Sequence, residues 1–261
     1  MQYQVKIERY NPTTKEKYFQ IYDVDLDEKL TILEVLEYIK EHIDPTLTYR
    51  AFCKSAICGS CAMVVNGLSK LTCKLNAVEN LINGILEISP LKQFDVIKDL
   101  VVDQDKGFNL LKKTQTFMIP KTPPSNSEFL IEPKEETSYD KQTECILCMA
   151  CYSDCPAVEN DKNYFGPFMF SKILRFVNDS RDSIQTQRID KTMEGNIFSC
   201  VECQACIIAC PKGLAPQFDI KNLQTKALAQ GHQNPNMQNF GNFGGGFNDF
   251  NDFGGFNPNG F

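Results

Sequence analysis

No stretch of this sequence runs to 18 apolar residues, so no transmembrane helix is predicted. Basic residues do not outnumber acidic ones: 27 Lys and Arg stand against 33 Asp and Glu, a net charge of −6, which argues against nucleic acid as a partner. There are two histidines, His42 on a predicted helix and His232 near the C-terminus, and both read as surface residues. No glycine-rich phosphate loop is present, so no flavin or nicotinamide site is expected on this chain. The start, Met1-Gln-Tyr-Gln-Val-Lys-Ile-Glu-Arg, reads as a strand and not as an export signal. Without export, a disulfide framework is not expected. No organic active site is legible, and catalytic residues are predicted on this chain at no position.

What is present is cysteine, twelve of them in three groups with none left over. Cys53, Cys58, Cys61 and Cys73 are spaced C-x4-C-x2-C-x11-C, the plant-type 2Fe-2S spacing. Cys145, Cys148, Cys151 and Cys155, then Pro156, spell C-x2-C-x2-C-x3-C-P, and Cys200, Cys203, Cys206 and Cys210, then Pro211, repeat it about 55 residues later. That run holds paired cubanes in bacterial ferredoxins, where the fourth cysteine of each run serves the other cluster. Carried over, Cys145, Cys148, Cys151 and Cys210 hold one 4Fe-4S cluster, and Cys200, Cys203, Cys206 and Cys155 hold the other. Thiolates are soft ligands suited to iron–sulfur units. Small residues at Gly59 and Ser60 let backbone N–H groups approach the sulfurs. Structural zinc is the competing reading for each group, and iron and sulfide analysis separates the two.

The fold expected around these groups is α+β. Residues 2–10 alternate as a half-buried strand with Val5 and Ile7 inward, Asn11-Pro12 turns, and 17–25 returns. Thr31 opens a helix with Glu34 three residues on, a capping box, and Ile32, Val35, Leu36 and Ile39 form its apolar face. Strands near 63–65 and 85–88 complete a β-grasp ferredoxin domain over residues 1–105, with Cys73 arriving from the turn after Asn66-Gly67. Residues 106–138 are a connecting segment. The proline-rich, charged stretch 119–144 is read as extended. Residues 139–230 form an all-α, two-cluster ferredoxin-like domain, with helices at 168–177 and after Ala215. Residues 231–261 hold seven phenylalanines among Asn and Gly with no Lys or Arg, a low-complexity tail read as disordered on its own.

Over residues 1–225 the chain resembles the iron–sulfur subunit of succinate dehydrogenase and fumarate reductase. The likeness rests on Arg50, on Cys58-Gly-Ser-Cys61-Ala-Met with Asn66-Gly67, and on Pro90-Leu-Lys with Asp99-Leu-Val-Val-Asp103. It rests also on Glu144-Cys-Ile-Leu-Cys148, Gly166-Pro167, Arg175-Phe with Asp179-Ser-Arg-Asp182, and Cys210-Pro-Lys-Gly213. The resemblance implies a flavoprotein partner that interconverts succinate and fumarate, and a quinone-linked third subunit. Electrons would pass in the order flavin, 2Fe-2S, first cubane, last cluster, quinone.

Two departures refine this. Most of the family lacks the second cysteine of the last run and carries 3Fe-4S there, whereas here Cys203 makes 4Fe-4S available, with 3Fe-4S the alternative. The ubiquinone subtype has His after the first cysteine of that run and Trp after the first Cys-Pro; this chain has Val201, then Ala157-Val158-Glu159, and no Trp. The pattern looks more like the branch of methylmenaquinol:fumarate and thiol:fumarate reductases. Its third subunit is a cysteine-rich, heterodisulfide-reductase-like protein in place of a haem-b anchor. The expected role is thus an electron relay to a menaquinol-type partner, peripheral on the cytoplasmic face of the membrane and bound only through partners. Co-export with the flavoprotein to the periplasmic face is the alternative location. A stand-alone multi-cluster ferredoxin is the alternative function.

Overall fold

The computed structural model describes residues 1–122 and 126–236. The first strand, β1 (Gln2–Asn11), pairs antiparallel with β2 (Glu16–Asp25), Gln2 opposite Asp25 and Asn11 opposite Glu16. Alternate β1 side chains, Tyr3, Val5, Ile7 and Arg9, are buried, as a strand with one face on a core requires. Next comes α1 (Ile32–Tyr38), its N-cap Thr31 and Glu34 forming the predicted reciprocal capping box, and a π-helical turn, Ile39–Ile43, ends it. β3 (Ala62–Val65), β4 (Leu68–Leu71) and β5 (Ile85–Ser89) complete a five-stranded sheet in the order β2-β1-β5-β3-β4, with β1 and β5 parallel. A two-stranded ribbon, β6 (Val96–Lys98) and β7 (Val101–Val102), lies beyond it. Ile32, Val35, Leu36 and Ile39 pack on Val5, Ile7, Leu86 and Ile88 to make the first core.

Arg9 continues the apolar face of β1 yet is 3% exposed. It survives there because every direction is answered. Its Nε donates to Asp99 (2.9 Å), Nη1 to Asp44 and the Tyr22 hydroxyl (both 2.6 Å), and Nη2 to Thr46 (3.0 Å). The other Asp99 oxygen accepts from Thr48 N at 2.9 Å, so Asp99 anchors the segment that leads back under the sheet.

The second half is helical. It follows α2 (Asp105–Lys113) and the connecting stretch, which holds two short helices, α3 (Pro133–Glu136) and α4 (Asp140–Thr143), and is therefore not wholly extended as predicted. Glu132 precedes Pro133, which starts α3 because its fixed φ suits the first helical position. Then come α5 (Ala150–Ser153), α6 (Pro156–Asn160), α7 (Pro167–Val177), α8 (Gln185–Glu194), α9 (Ala205–Ala209) and α10 (Pro216–Ala229). Phe168, Phe170, Ile173 and Leu174 of α7 meet Ile220 and Leu223 of α10 in the core. Arg188 of α8 is fully buried, paired with Asp182 through two 2.7 Å bonds, and caps the Gln115 and Phe117 carbonyls of the connecting stretch.

The two halves share a core. Leu33, Cys61, Ala62, Leu71, Leu91 and Val102 belong to the same buried cluster as the helical half. Polar contacts seal the joint: Ser69 donates through N (2.7 Å) and Oγ (2.8 Å) to the Asp154 carboxylate, and Lys92 N donates to Ser153 Oγ (2.8 Å). At the far end His232 pairs with Asp190 and Asn236 donates to the Phe198 carbonyl. The Phe- and Gly-rich tail lies largely outside the described residues. Among the described residues no helix is long and apolar enough to cross a membrane.

Candidate iron–sulfur sites

All twelve cysteines are free thiols, and the fold gathers them into three sets. The first lies on the irregular loop between α1 and β3, with Cys73 delivered by the hairpin β3–β4. An unpredicted strand, β4, therefore stands between Asn66-Gly67 and Cys73. Cys53 Sγ accepts from Ser55 N (3.4 Å) and Cys58 N (3.3 Å), and Cys73 Sγ from Ala56 N (3.3 Å). Lys54 and Ala56 have φ of 54°, turning these amides inward. Successive N–H groups aimed into one concavity are a nest for an anionic group. Ser60 Oγ lies 3.1 Å from Cys58 Sγ, and this contact with the Cys53 backbone N–H holds the Cys58 thiol down to about 6. Burial pushes Cys61 up to about 11.

The Ser60 backbone N–H reaches the Cys58 sulfur. Gly59 has a further role: its missing side chain makes room for the helical half, since a Cβ there would stand 2.8 Å from Cys148 Cβ and 3.0 Å from Cys148 Cα. Gly59 thus brings the first set directly against the second.

The two later runs repeat a backbone shape. Leu147 and Met149 flank Cys148 with φ of 56° and 63°; Glu202 and Gln204 flank Cys203 with φ of 55° and 63°. In each run the residue before the central cysteine turns its amide to the first: Leu147 N–H to Cys145, Glu202 N–H to Cys200. The short helices α5 and α9 follow, and Cys155-Pro156 and Cys210-Pro211 carry the chain away. The fourth cysteine of each run lies beside the other run. Cys145, Cys148, Cys151 and Cys210 line one apolar cavity with Ile146, Phe168 and Leu214. Cys155 neighbours Cys200 and Cys203, and Cys206 neighbours Cys155, Cys200 and Cys203.

Burial pushes Cys155 up to about 11 and Cys148 and Cys206 up to about 12, and it holds Cys151 well above the ordinary thiol value. Thiols so desolvated become thiolates only beside a compensating positive charge, which bound iron provides. The donor set, its inward amides and its apolar walls fit iron–sulfur clusters. Sequence reasoning did not single out Tyr164, whose hydroxyl is buried beside Cys200, or Lys172, whose charge favours the Cys145 thiolate. Neither sits at a motif spacing that would mark it.

Residues 4–109 match a 2Fe-2S iron–sulfur cluster binding domain, and residues 141–214 a 4Fe-4S dicluster domain. The chain is 34% identical over 230 residues to the mitochondrial succinate dehydrogenase [ubiquinone] iron–sulfur subunit of Dictyostelium discoideum, covering 84% of this chain and 80% of that one. It is 36% identical over 228 residues to the 8-methylmenaquinol:fumarate reductase iron–sulfur subunit of Wolinella succinogenes, covering 83% of this chain and 70% of that one. The chain belongs to the iron–sulfur subunits of the succinate dehydrogenase and fumarate reductase family. As such a subunit it is the electron-transfer component of an oxidoreductase, carrying 2Fe-2S, 4Fe-4S and a third cluster. The fold agrees: the subunit superposes on a chain of the Mycobacterium smegmatis Sdh1 complex in the apo form with a TM-score of 0.78 at 20% identity, over 88% of this chain and 96% of that one.

Proposed function

We propose that this subunit relays single electrons between a flavoprotein that handles fumarate and succinate and a third, quinone-linked subunit. Cys53, Cys58, Cys61 and Cys73 hold 2Fe-2S; Cys145, Cys148, Cys151 and Cys210 hold 4Fe-4S; Cys155, Cys200, Cys203 and Cys206 hold the last cluster, also 4Fe-4S. The clusters supply reversible one-electron chemistry at potentials tuned by their surroundings. The observation that carries the reading is where exposure falls: each end set has one exposed cysteine, Cys58 in the first and Cys203 in the last, and the middle set has none. Exposed apolar side chains flank the two ends: Phe52 and Ile57 beside the first set, Val201, Ile208 and Phe218 beside the last. A relay needs such a form, with an enclosed middle and two ends that dock on partners. The flavoprotein is assigned to the Phe52 face and the third subunit to the Val201 face.

Cys203 and Val201 favour the branch whose third subunit is cysteine-rich and heterodisulfide-reductase-like, with a low-potential menaquinol and net fumarate reduction. The subunit sits on the membrane through its partners, on the cytoplasmic face. The test is redox titration of the purified complex followed by electron paramagnetic resonance, on wild type and Cys203→Ser. Wild type should show no 3Fe signal, and the variant should gain one while the other two clusters are unchanged. Three unchanged clusters in the variant would refute the ligand assignment, and a last cluster well above the menaquinone range would refute the quinol assignment.

A further inference from the structure

The two cubane sites share a backbone plan but not their polar surroundings, and the difference centres on one side chain. Tyr164 lies between α6 and α7, 2% exposed. It is held at several points: its N–H donates to the Asp161 carbonyl (3.1 Å), the next residue's N–H donates to the Gly195 carbonyl (3.3 Å), and its ring packs 5.3 Å from Phe170. The Asp161 carboxylate is itself fixed by Asn196 (2.7 Å) and Ser199 (3.1 Å). The hydroxyl that this frame positions is buried, and no protein group completes a hydrogen bond with it. Buried hydroxyls seldom go without a partner. The polar atoms close to it are sulfurs of the last set: Cys200 is within reach of its donation, with Cys155 and Cys206 beyond. A phenol is protonated at neutral pH, so this hydroxyl is available as a donor.

The middle set has a buried hydroxyl of its own, Ser171 Oγ of α7, which lines the cavity of Cys145, Cys148, Cys151 and Cys210, but the polar group it acts on is the Asp219 carboxylate. In that set Cys145 receives the Leu147 amide and Cys148 the Ala150 amide, counterparts of the Glu202 amide at Cys200. Lys172 favours the Cys145 thiolate while the Asp219 carboxylate opposes it. The first cysteines of the two runs are therefore matched in their amide, Leu147 N–H at Cys145 and Glu202 N–H at Cys200, and differ in their hydroxyl: Tyr164 lies beside Cys200, whereas Ser171 acts on Asp219.

We propose that the Tyr164 hydroxyl donates a hydrogen bond to the Cys200 sulfur and thereby raises the reduction potential of the last cluster relative to the middle one. A donor to a ligand sulfur withdraws negative charge and favours the reduced, more negative state. Tyr164 is thus a positioning and tuning residue, biasing where an electron rests within the dicluster half. The inference depends on the proposed ligation of the last cluster by Cys200.

The experiment is Tyr164→Phe in the intact complex, which keeps the ring against Phe170 and removes only the oxygen. Each cluster is titrated by electron paramagnetic resonance. A single charge-assisted hydrogen bond is worth about tenfold in an equilibrium constant. Electron sharing between last and middle clusters should therefore shift about tenfold toward the middle, ~59 mV for a one-electron couple, with the other two potentials unmoved. In wild type, proton resonance of the reduced last cluster should also detect an exchangeable proton that is lost in deuterated water and absent from the variant. That measurement needs no variant to fold. An unmoved last potential, an equal shift in all three, or no exchangeable proton in wild type overturns the role of Tyr164. Iron and sulfide analysis reporting no last cluster in wild type would instead refute the ligation on which it depends.

Discussion

Replacing Gly59 by alanine puts a methyl group where the two halves of the molecule are closest. The added Cβ would lie 2.8 Å from Cys148 Cβ and 3.0 Å from Cys148 Cα, where ordinary contact begins near 3.4 Å, so the loops must separate by 0.6 Å (3.4 − 2.8) or deform. Two costs combine. Left-handed backbone, φ +73° here, costs an L-residue roughly 1–2 kcal/mol. Overpacking a close contact costs typically ~1–3 kcal/mol. The sum, about 2–5 kcal/mol, is large against the ~5–15 kcal/mol that holds a whole domain. Gly67 supplies the control. It turns the β3–β4 hairpin at φ +85°, but its added Cβ meets nothing within 4 Å, so Gly67→Ala incurs the backbone cost alone. Anaerobic denaturation of both variants, followed by cluster absorbance, measures the difference. Pulse reduction of the complex measures how fast electrons pass from the first set to the middle one. Gly59→Ala should be the less stable variant by ~1–3 kcal/mol, and only it should slow the transfer. Equal stabilities with unaltered transfer would refute the claim that Gly59 sets the approach of the two sites.

Arg188→Met leaves the buried Asp182 carboxylate without its cation and should cost about 3–5 kcal/mol; adding Asp182→Asn should recover part of this, read as a rise in denaturation midpoint. Asp154→Ala removes the acceptor of both Ser69 bonds across the joint, and amide exchange at 68–71 should accelerate while that in β1 stays constant. Asp44 gives a pH signature. Burial opposes its ionisation, but donation from Thr46, Tyr22 and Arg9 outweighs burial and holds the carboxyl well below the usual range. Its folded pKa lies below the unfolded value near ~3.9, so the stability it contributes is present above about pH 4 and is lost as pH falls further. Asp44→Asn should therefore destabilise by about 1–3 kcal/mol at pH 7, and the gap to wild type should close below about pH 4. A gap independent of pH would refute the assignment.

Local signals were legible in the sequence because local physics produces them. The alternation of β1, the Thr31–Glu34 box and the apolar spacing of α7 are each set by neighbours a few residues apart. The elements that escaped lack such signals. β4 is Leu-Ser-Lys-Leu, too short to display a period, and α8 is Gln-Thr-Gln-Arg-Ile-Asp-Lys-Thr-Met-Glu, whose buried face is led by Arg188 and not by a run of apolar residues. The cysteine sets were readable through spacing, whereas their surroundings were not. Ser69 meets Asp154 across 85 positions, and Gly59 meets Cys148 across a domain boundary, so nothing near either residue announces the contact.

The unequal division of the two cores has a consequence for biosynthesis. The core beneath the five-stranded sheet is built wholly from residues 3–100, so it is complete once the first hundred residues have left the ribosome. The helical half has no equivalent independence, since Leu33, Ala62, Leu71 and Leu91 form part of its interior. At ~5–20 residues per second the second half arrives on the order of ten seconds later, and it condenses on a wall already standing. The N-terminal domain therefore serves the nascent chain as scaffold before it serves the finished one as conductor, and a chain shortened from its front end loses both.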